Sequence, residues 1–298
     1  VLCVIGDLVE DIVVWLPESL NYGADTPSRI VRTRGGSASN VAVFAATIAE
    51  QKSSGLLEAP KSPGARLIAQ VGDDRLGDQL IGALNDAGVD PCVVRSGRTG
   101  SIVVIVSPDG ERTMITDRAA ATELVLAPEN WFENVSLLHV PAYSLFSEPL
   151  ATATRACINT AHEKNIQVTI DASSGSLILA YGVAKFRNLL DEIRPKVFFC
   201  NTDEAEVLSL TTQPLDLDIV VIKAGARPTT LIENKVVKTI EVEPVGEIFD
   251  TTGAGDAFAA GFLTKFGENN LDTYICVLAG HQLAARVLLS PGATMDSQ

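Results

Sequence analysis

Paired cysteine spacings are missing from this sequence. Its five cysteines, Cys3, Cys92, Cys157, Cys200 and Cys276, stand singly, which argues against a disulfide framework or a cysteine-ligated zinc site and predicts reduced core thiols. Histidine is scarce: three in 298 residues leave little for a metal cluster. No apolar run reaches membrane-spanning length, and the opening Val1-Leu2-Cys3-Val4-Ile5 lacks a basic flank. Neither a span nor a secretory signal is read here, and a cytoplasmic location is expected. Basic residues are in deficit, 23 against 37 acidic, for a net charge of -14. A surface that negative repels phosphate backbones and anionic lipid, so nucleic-acid and membrane partners are not expected. Aromatics make up only 5%.

What is present in quantity is aliphatic: 46% of residues are hydrophobic, enough for one large core. Short apolar runs occur at Leu2-Ile5, Leu67-Val71, Leu137-Val140, Val168-Ile170, Val197-Cys200 and Ile219-Ile222. They alternate with helix-like periods at Ala38-Ala49, Leu76-Ala87, Leu150-His162, Phe186-Ile193, Glu204-Leu210, Asp256-Phe266 and Leu271-Leu289. Continuous apolar strands separated by helices predict a Rossmann-like α/β fold. Its sheet is mostly parallel, with helices on both faces and ligands beyond the carboxyl ends of the strands.

Two stretches break the rhythm. Ile12-Leu16 with Arg29-Arg34, and Ser101-Ser107 with Arg112-Thr116 across the turn Pro108-Asp109-Gly110, read as antiparallel hairpin-like strands. They are too short for a domain. The organisation expected is one α/β domain over residues 1–298, with lid strands inserted at about 12–34 and 98–118 to keep water from a reactive group. Glu50-Lys61, polar with Gly55 and Pro60, reads as a surface loop.

The chemistry gathers at Asp250-Thr251-Thr252-Gly253-Ala254-Gly255-Asp256-Ala257-Phe258, a glycine-broken turn that runs into a helix. Such a turn leaves the amides of Gly253, Ala254 and Gly255 pointing outward, where they and the helix dipole attract an anion. Asp256 at the lip is placed to accept a proton from a hydroxyl attacking a phosphate held there; a plain helix cap is the alternative. A second glycine element, Gly35-Gly36-Ser37-Ala38-Ser39-Asn40, opens another helix. Its small residues let a ligand approach the backbone. Asn40 there is either a donor and acceptor for a polyol or a buried structural amide. Asp11, five residues past Gly6, either holds two neighbouring hydroxyls or is a turn or edge charge. Trp15 shares its strand face and offers an apolar plane on which a base could stack.

Together, the Gly35 to Asn40 and Asp250 to Asp256 elements resemble the two signatures of the ribokinase-like, phosphofructokinase-B-type family of sugar and nucleoside kinases. Val71-Gly72-Asp73-Asp74-Arg75-Leu76-Gly77 and the Ser107 to Thr113 hairpin extend the likeness over essentially the whole chain. The resemblance implies an ATP-dependent phosphotransferase. Asp256 would be the base, Gly253, Ala254 and Gly255 the anion hole, and Asp11, Gly35, Gly36 and Asn40 the acceptor site. Asn201 and Glu204, in Asn201-Thr202-Asp203-Glu204, match an Asn-x-x-Glu element that organises magnesium and nucleotide phosphates, largely through water; the same residues also spell a capping box. Lys223 and Gly225 fall on the nucleotide loop, with Lys223 in place of the family threonine and Pro228 in place of its last glycine. His281, eleven residues before Gly292, takes the place of an adenine-side residue. The family often uses a monovalent cation such as potassium; Asp250 and carbonyls near Gly292 are the candidate ligands, and a homodimer would pair through the lid. Pro141, where ribokinases carry a sugar-contacting glutamate, and Asp171-Ala172-Ser173-Ser174 depart from the ribose pattern. The motifs therefore do not specify ribose; with few aromatics elsewhere to wall a base pocket, the expected acceptor is a small sugar or sugar-like alcohol, with a nucleoside as runner-up. A catalytically silent sugar-binding relative is the reading from another class.

Overall fold

The computed structural model describes residues 1–53, 64–246, 248–268 and 272–290. Its first half holds β1 (Leu2–Ile5), β2 (Val9–Trp15), β3 (Arg29–Gly35), α1 (Ser37–Ser53), β4 (Ala65–Val71), α2 (Arg75–Asp86), β5 (Val89–Arg95), β6 (Thr99–Val106) and β7 (Arg112–Ala119). There follow β8 (Leu137–Pro141), α3 (Leu150–Glu163), β9 (Gln167–Asp171), α4 (Gly175–Tyr181), α5 (Val183–Ile193), β10 (Val197–Asn201) and α6 (Thr202–Val207). The chain continues through β11 (Ile219–Lys223), β12 (Thr229–Glu233), β13 (Val236–Ile240), α7 (Ala254–Phe266) and α8 (Thr273–Val287).

Nine strands form one sheet in the order β13-β12-β11-β10-β9-β8-β1-β4-β5. The pairs from β5 across to β11 are parallel, and only the β11–β12 and β12–β13 pairs are antiparallel. The expected mostly parallel α/β sheet is therefore present. Alternation along the strands sorts their side chains into two cores. Leu2, Val4, Val197 and Phe199 face α1, α2, α7 and α8, whereas Cys3, Ile5, Phe198 and Cys200 face α3 to α6. Phe199 meets Phe262 of α7 edge to face at 5.0 Å, a contact worth about 0.5–1.5 kcal/mol beyond its buried area. It seats α7 on the sheet. All five cysteines are free, four of them buried, as expected of core thiols.

The remaining four strands form a second sheet, β3-β2-β6-β7. The two expected antiparallel pairs are there, but β2 and β6 also join in parallel, Asp11 opposite Ile102 and Val13 opposite Val104. The two insertions are thus one continuous sheet with a small core of its own, Val9, Val13, Ile102, Val104 and Ala121.

Several boundaries differ from expectation. α7 starts at Ala254, with Gly253 at φ 77 as its N-cap, because the positive φ turns the chain into the helix ahead of Asp256. α6 spans Thr202–Val207 and α8 Thr273–Val287, each shorter than its apolar period. The polar loop expected over Glu50-Lys61 begins inside α1, and its residues 54–61 lie outside the described residues, as do Leu271 and Gly292. Among the described residues, no helix is long and apolar enough to cross a membrane.

Candidate active site

A cavity of about 240 Å³ opens where the carboxyl ends of β9, β10 and β11, the N-terminus of α7 and the inner face of the small sheet meet. Asp256 stands at its centre. The Asp256 Oδ1 accepts a hydrogen bond from the Ser37 hydroxyl at 2.7 Å, and Oδ2 accepts one from Asn40 Nδ2 at 2.9 Å. Two glycine-led helix starts 216 residues apart are thereby brought together. Burial pushes the Asp256 carboxyl up to about 6, while the hydrogen bonds from Ser37 and Asn40 pull it down. A carboxylate poised there can take a proton near neutral pH.

Beside it, Gly253 and Gly255 line the cavity and Ala254 does not. The expectation of three outward amides is corrected at Ala254, whose N–H closes a turn onto the Thr251 carbonyl at 3.3 Å; the tightness of that turn takes this donor out of the seat. The loop is braced from behind by the buried Asp250, whose Oδ1 accepts from the amide (2.8 Å) and hydroxyl (2.7 Å) of Thr252. Arg112 of β7 donates to the same Thr252 hydroxyl at 2.8 Å. The expected cation ligands split: Asp250 is tied into this loop, and the carbonyls near Gly292 lie outside the described residues.

On the other side the cavity wall comes from β2, β3 and α1. Asp11 is buried, its Oδ1 has no hydrogen-bond partner, and burial, then the nearby Asp7 carboxylate, pushes it up to about 7. Asp11 lines the cavity, and its carboxylate has acceptor capacity that no protein donor uses, which suits a ligand hydroxyl. Gly35 lies directly under that carboxylate, and Gly36 has φ +97 with its missing Cβ 2.6 Å from the Asp7 carbonyl, so side chains are excluded at both positions. Asn40 donates to Asp256 and accepts from Arg34 Nη1 at 2.8 Å. Both ends of its amide are occupied by protein, in keeping with the structural-amide alternative.

The third wall is made by residues ending three adjacent parallel strands: Asp171 on β9, Asn201 on β10 and Lys223 on β11. Lys223 Nζ contacts Asp171 Oδ2 at 2.6 Å. Burial pulls this ammonium down, but Asp171 and Glu204 outweigh it and hold Lys223 above its ordinary value. Asn201 and Glu204 form a reciprocal capping box, 2.7 and 2.8 Å. Burial and then Asp171 push the buried Glu204 up to about 7. Among the described residues, no group of three or more His, Cys, Asp or Glu forms a metal site. The donor set nevertheless fits a magnesium ion held mainly by phosphate and water, because Asp171 and Glu204 put hard carboxylate oxygens on this wall.

Besides Ala254, the expected residues Gly35, Asp250, Gly225, His281 and Trp15 do not line the cavity: Gly35 lies behind the Asp11 carboxylate and Asp250 behind the Thr252 loop, and the other three stand further off. Gly225 occupies a turn at φ +62. His281 bonds the Thr229 hydroxyl through Nε2 at 2.8 Å and packs on Phe258. Trp15 lies further along its strand face, covered by the Arg29 guanidinium 5.2 Å from its ring centre.

Other residues in the site were not expected. Arg118 of β7 pairs with the buried Asp7 and stacks 4.4 Å over the Tyr143 ring. Ser37, Asp171 and Ser173 line the cavity, as do Arg112, Met114 and Arg118. These last three share one face of β7 at even spacing, a period-two signal visible in the sequence.

Solved kinases share this architecture. A ribokinase from Thermotoga maritima aligns at TM-score 0.74 and 22% identity, covering 98% of this chain and 94% of that one. A sugar kinase from Pyrococcus horikoshii in complex with ATP aligns at TM-score 0.81 and 21% identity, over 98% and 94%. At such identities the likeness shows the class, a ribokinase-type fold. The chain itself belongs to the pfkB family of carbohydrate kinases, whose model matches residues 2–298. Among its relatives are a fructokinase from Klebsiella pneumoniae, 26% identical over 93% of this chain and 87% of its own length, and an adenosine kinase from Schizosaccharomyces pombe, 26% identical over 76% and 74%.

Proposed function

We propose that this chain is an ATP-dependent kinase that phosphorylates a hydroxyl of a small neutral sugar. The observation that carries the reading is Asp256, a carboxylate in the first turn of α7 beside the lining residues Gly253 and Gly255, held by donors from α1. In the proposed reaction the acceptor hydroxyl gives its proton to Asp256, its oxygen bonds to the γ-phosphorus, and the bond from that phosphorus to the β–γ bridging oxygen breaks to release ADP. The amides at the helix start, with Arg112 and Lys223, would stabilise the charge on the transferring group. Asp11, a lining carboxylate whose Oδ1 has no protein partner, would orient the acceptor.

Magnesium, held with the nucleotide near Asp171, Asn201 and Glu204, would neutralise phosphate charge. Activity is expected to require it. Glu204→Gln keeps a capping box, so the variant should fold yet need several-fold more magnesium for half-maximal rate; turnover after thorough chelation would contradict this role.

The sugar reading is favoured over the nucleoside reading by the aromatic groups. Trp15 does not line the cavity, and the Tyr143 ring that does is covered by Arg118, so among the described residues no free aromatic plane faces the cavity for a base. The fructokinase relatives make fructose the first acceptor to assay, with adenosine as the comparison. Asp11→Ala is expected to raise the acceptor KM at least tenfold and leave the ATP KM within about twofold, since one charge-assisted hydrogen bond is worth about 1.5–3 kcal/mol. Equal effects on both constants would move Asp11 out of the acceptor site. Pairing of two copies through the lid has support in Ile30 and Ile115, exposed on its outer strands; sedimentation of the wild type against Ile30→Asp checks it.

A further inference from the structure

Arg34, next to last in β3, does not line the cavity. Its Nη1 nevertheless donates to Asn40 Oδ1, on a residue that lines the cavity, and to the buried Ser39 Oγ, each at 2.8 Å. Ser39 is in turn anchored to the carbonyls of Gly35 (2.6 Å) and Gly36 (3.1 Å), so the guanidinium has a fixed seat. Guanidinium has donors only. It accepts the oxygen end of the Asn40 amide as a neighbour and rejects the nitrogen end. Asn40 Nδ2 is thereby left to face Asp256 Oδ2, 2.9 Å away. With the amide turned over, a donor would oppose the guanidinium and an acceptor would oppose the carboxylate, so both contacts would be lost at once.

We propose that Arg34 is a positioning residue for Asp256: it holds the Asn40 amide so that its nitrogen, and not its oxygen, faces the base. The inference rests on the phosphotransferase reading only for its catalytic consequence. The charged and titratable groups around Asp256 come from several elements: Asp11 on β2, Arg34 on β3, Tyr143 after β8, Asp171 on β9 and Lys223 on β11. Lys223 and Arg34 favour the ionised carboxylate, and Asp11 and Asp171 oppose it. Losing Arg34 removes a cation and frees the amide to turn, two changes that act in the same direction.

The test is a carbon-13 carboxyl NMR titration of Asp256 in the full chain, with its signal assigned through Asp256→Asn. Arg34→Met is expected to raise the proton affinity of Asp256 about tenfold or more, one unit in its midpoint, and Arg34→Lys to restore most of the difference. Asn40→Leu removes the donor to Asp256 without adding a charge, while Arg34 keeps its own charge and its bond to Ser39, so it tests the link by the hydrogen bond alone and should also raise the midpoint. An unmoved midpoint in either folded variant, or a lysine variant indistinguishable from the methionine one, overturns the proposal. The titration needs no substrate. Inactivity of the wild type toward every acceptor, with these shifts present, would instead count against the phosphotransferase reading. In an active enzyme, Arg34→Met should lower kcat and leave the ATP KM unmoved.

Discussion

Asp256→Asn is expected to lower kcat by roughly 10²–10⁴-fold, the range that a positioned general base supplies, while the ATP KM stays within about twofold. The variant changes charge and little else. Its side-chain oxygen can still accept from Asn40, and its nitrogen can donate to the Ser37 hydroxyl. Folding should not suffer. The wild-type carboxyl holds its proton up to about 6 because burial disfavours the charge, so its pKa is higher in the folded chain than in the unfolded one. For a raised acid the unfolded state releases its proton first, and the folded state loses ground as pH climbs between the two values. At neutral pH the asparagine variant, which carries no such penalty, is expected to melt at least as high as the wild type. The same titration predicts that wild-type kcat/KM falls as pH drops through about 6, because the protonated base cannot accept the acceptor's proton. Near-normal turnover in a folded Asp256→Asn chain would remove Asp256 from the role of base.

Gly255→Val is expected to abolish phosphoryl transfer in a folded protein, by more than about 10²-fold, the scale of losing a preorganised anion-hole donor. Gly255 has an ordinary φ, and a Cβ there would meet Lys223 Nζ at 3.6 Å, a normal contact. Alanine therefore fits. The extra methyl groups of valine project further into the space between the helix start and the Lys223 ammonium, where the phosphate would sit. The pair of variants separates blocking from misfolding: Gly255→Ala should keep measurable activity, both should melt within a few degrees of the wild type, and only valine should silence the enzyme. A folded valine variant with wild-type turnover would place the phosphate elsewhere.

How much of this could be read from residues alone depended on how local the signal was. The strands β1, β4, β8, β9, β10 and β11 are buried on both faces and so spell continuous apolar runs. β5 escaped notice because it is an edge strand, half-buried, with Pro91 inside it, a combination that edges tolerate and sequence patterns penalise. The β12–β13 hairpin escaped because its turn is Asn234-Lys235, both at positive φ, where a glycine would have announced it. Alternation revealed the strands of the small sheet, but the parallel pairing of β2 with β6 joins segments about 90 residues apart, and no local pattern encodes that register. In the site, the glycine elements and Asp256 were legible because helix starts carry their own chemistry. The Arg118–Asp7 pair, the Lys223–Asp171 pair and the Arg34–Asn40–Asp256 chain arise only when distant strands end side by side. Lys223 is instructive: its departure from the family loop was visible, whereas its buried partner Asp171 was not.

The central claim is that this cavity moves a phosphoryl group from ATP to a sugar hydroxyl with Asp256 as base. The direct measurement is transfer of γ-labelled phosphate to fructose, and to a panel of neutral sugars and nucleosides, with magnesium present and then chelated. The account predicts a labelled sugar phosphate made by the wild type only with magnesium, and a rate reduced by orders of magnitude in Asp256→Asn. Transfer to no acceptor on the panel, or undiminished transfer by the asparagine variant, would contradict it.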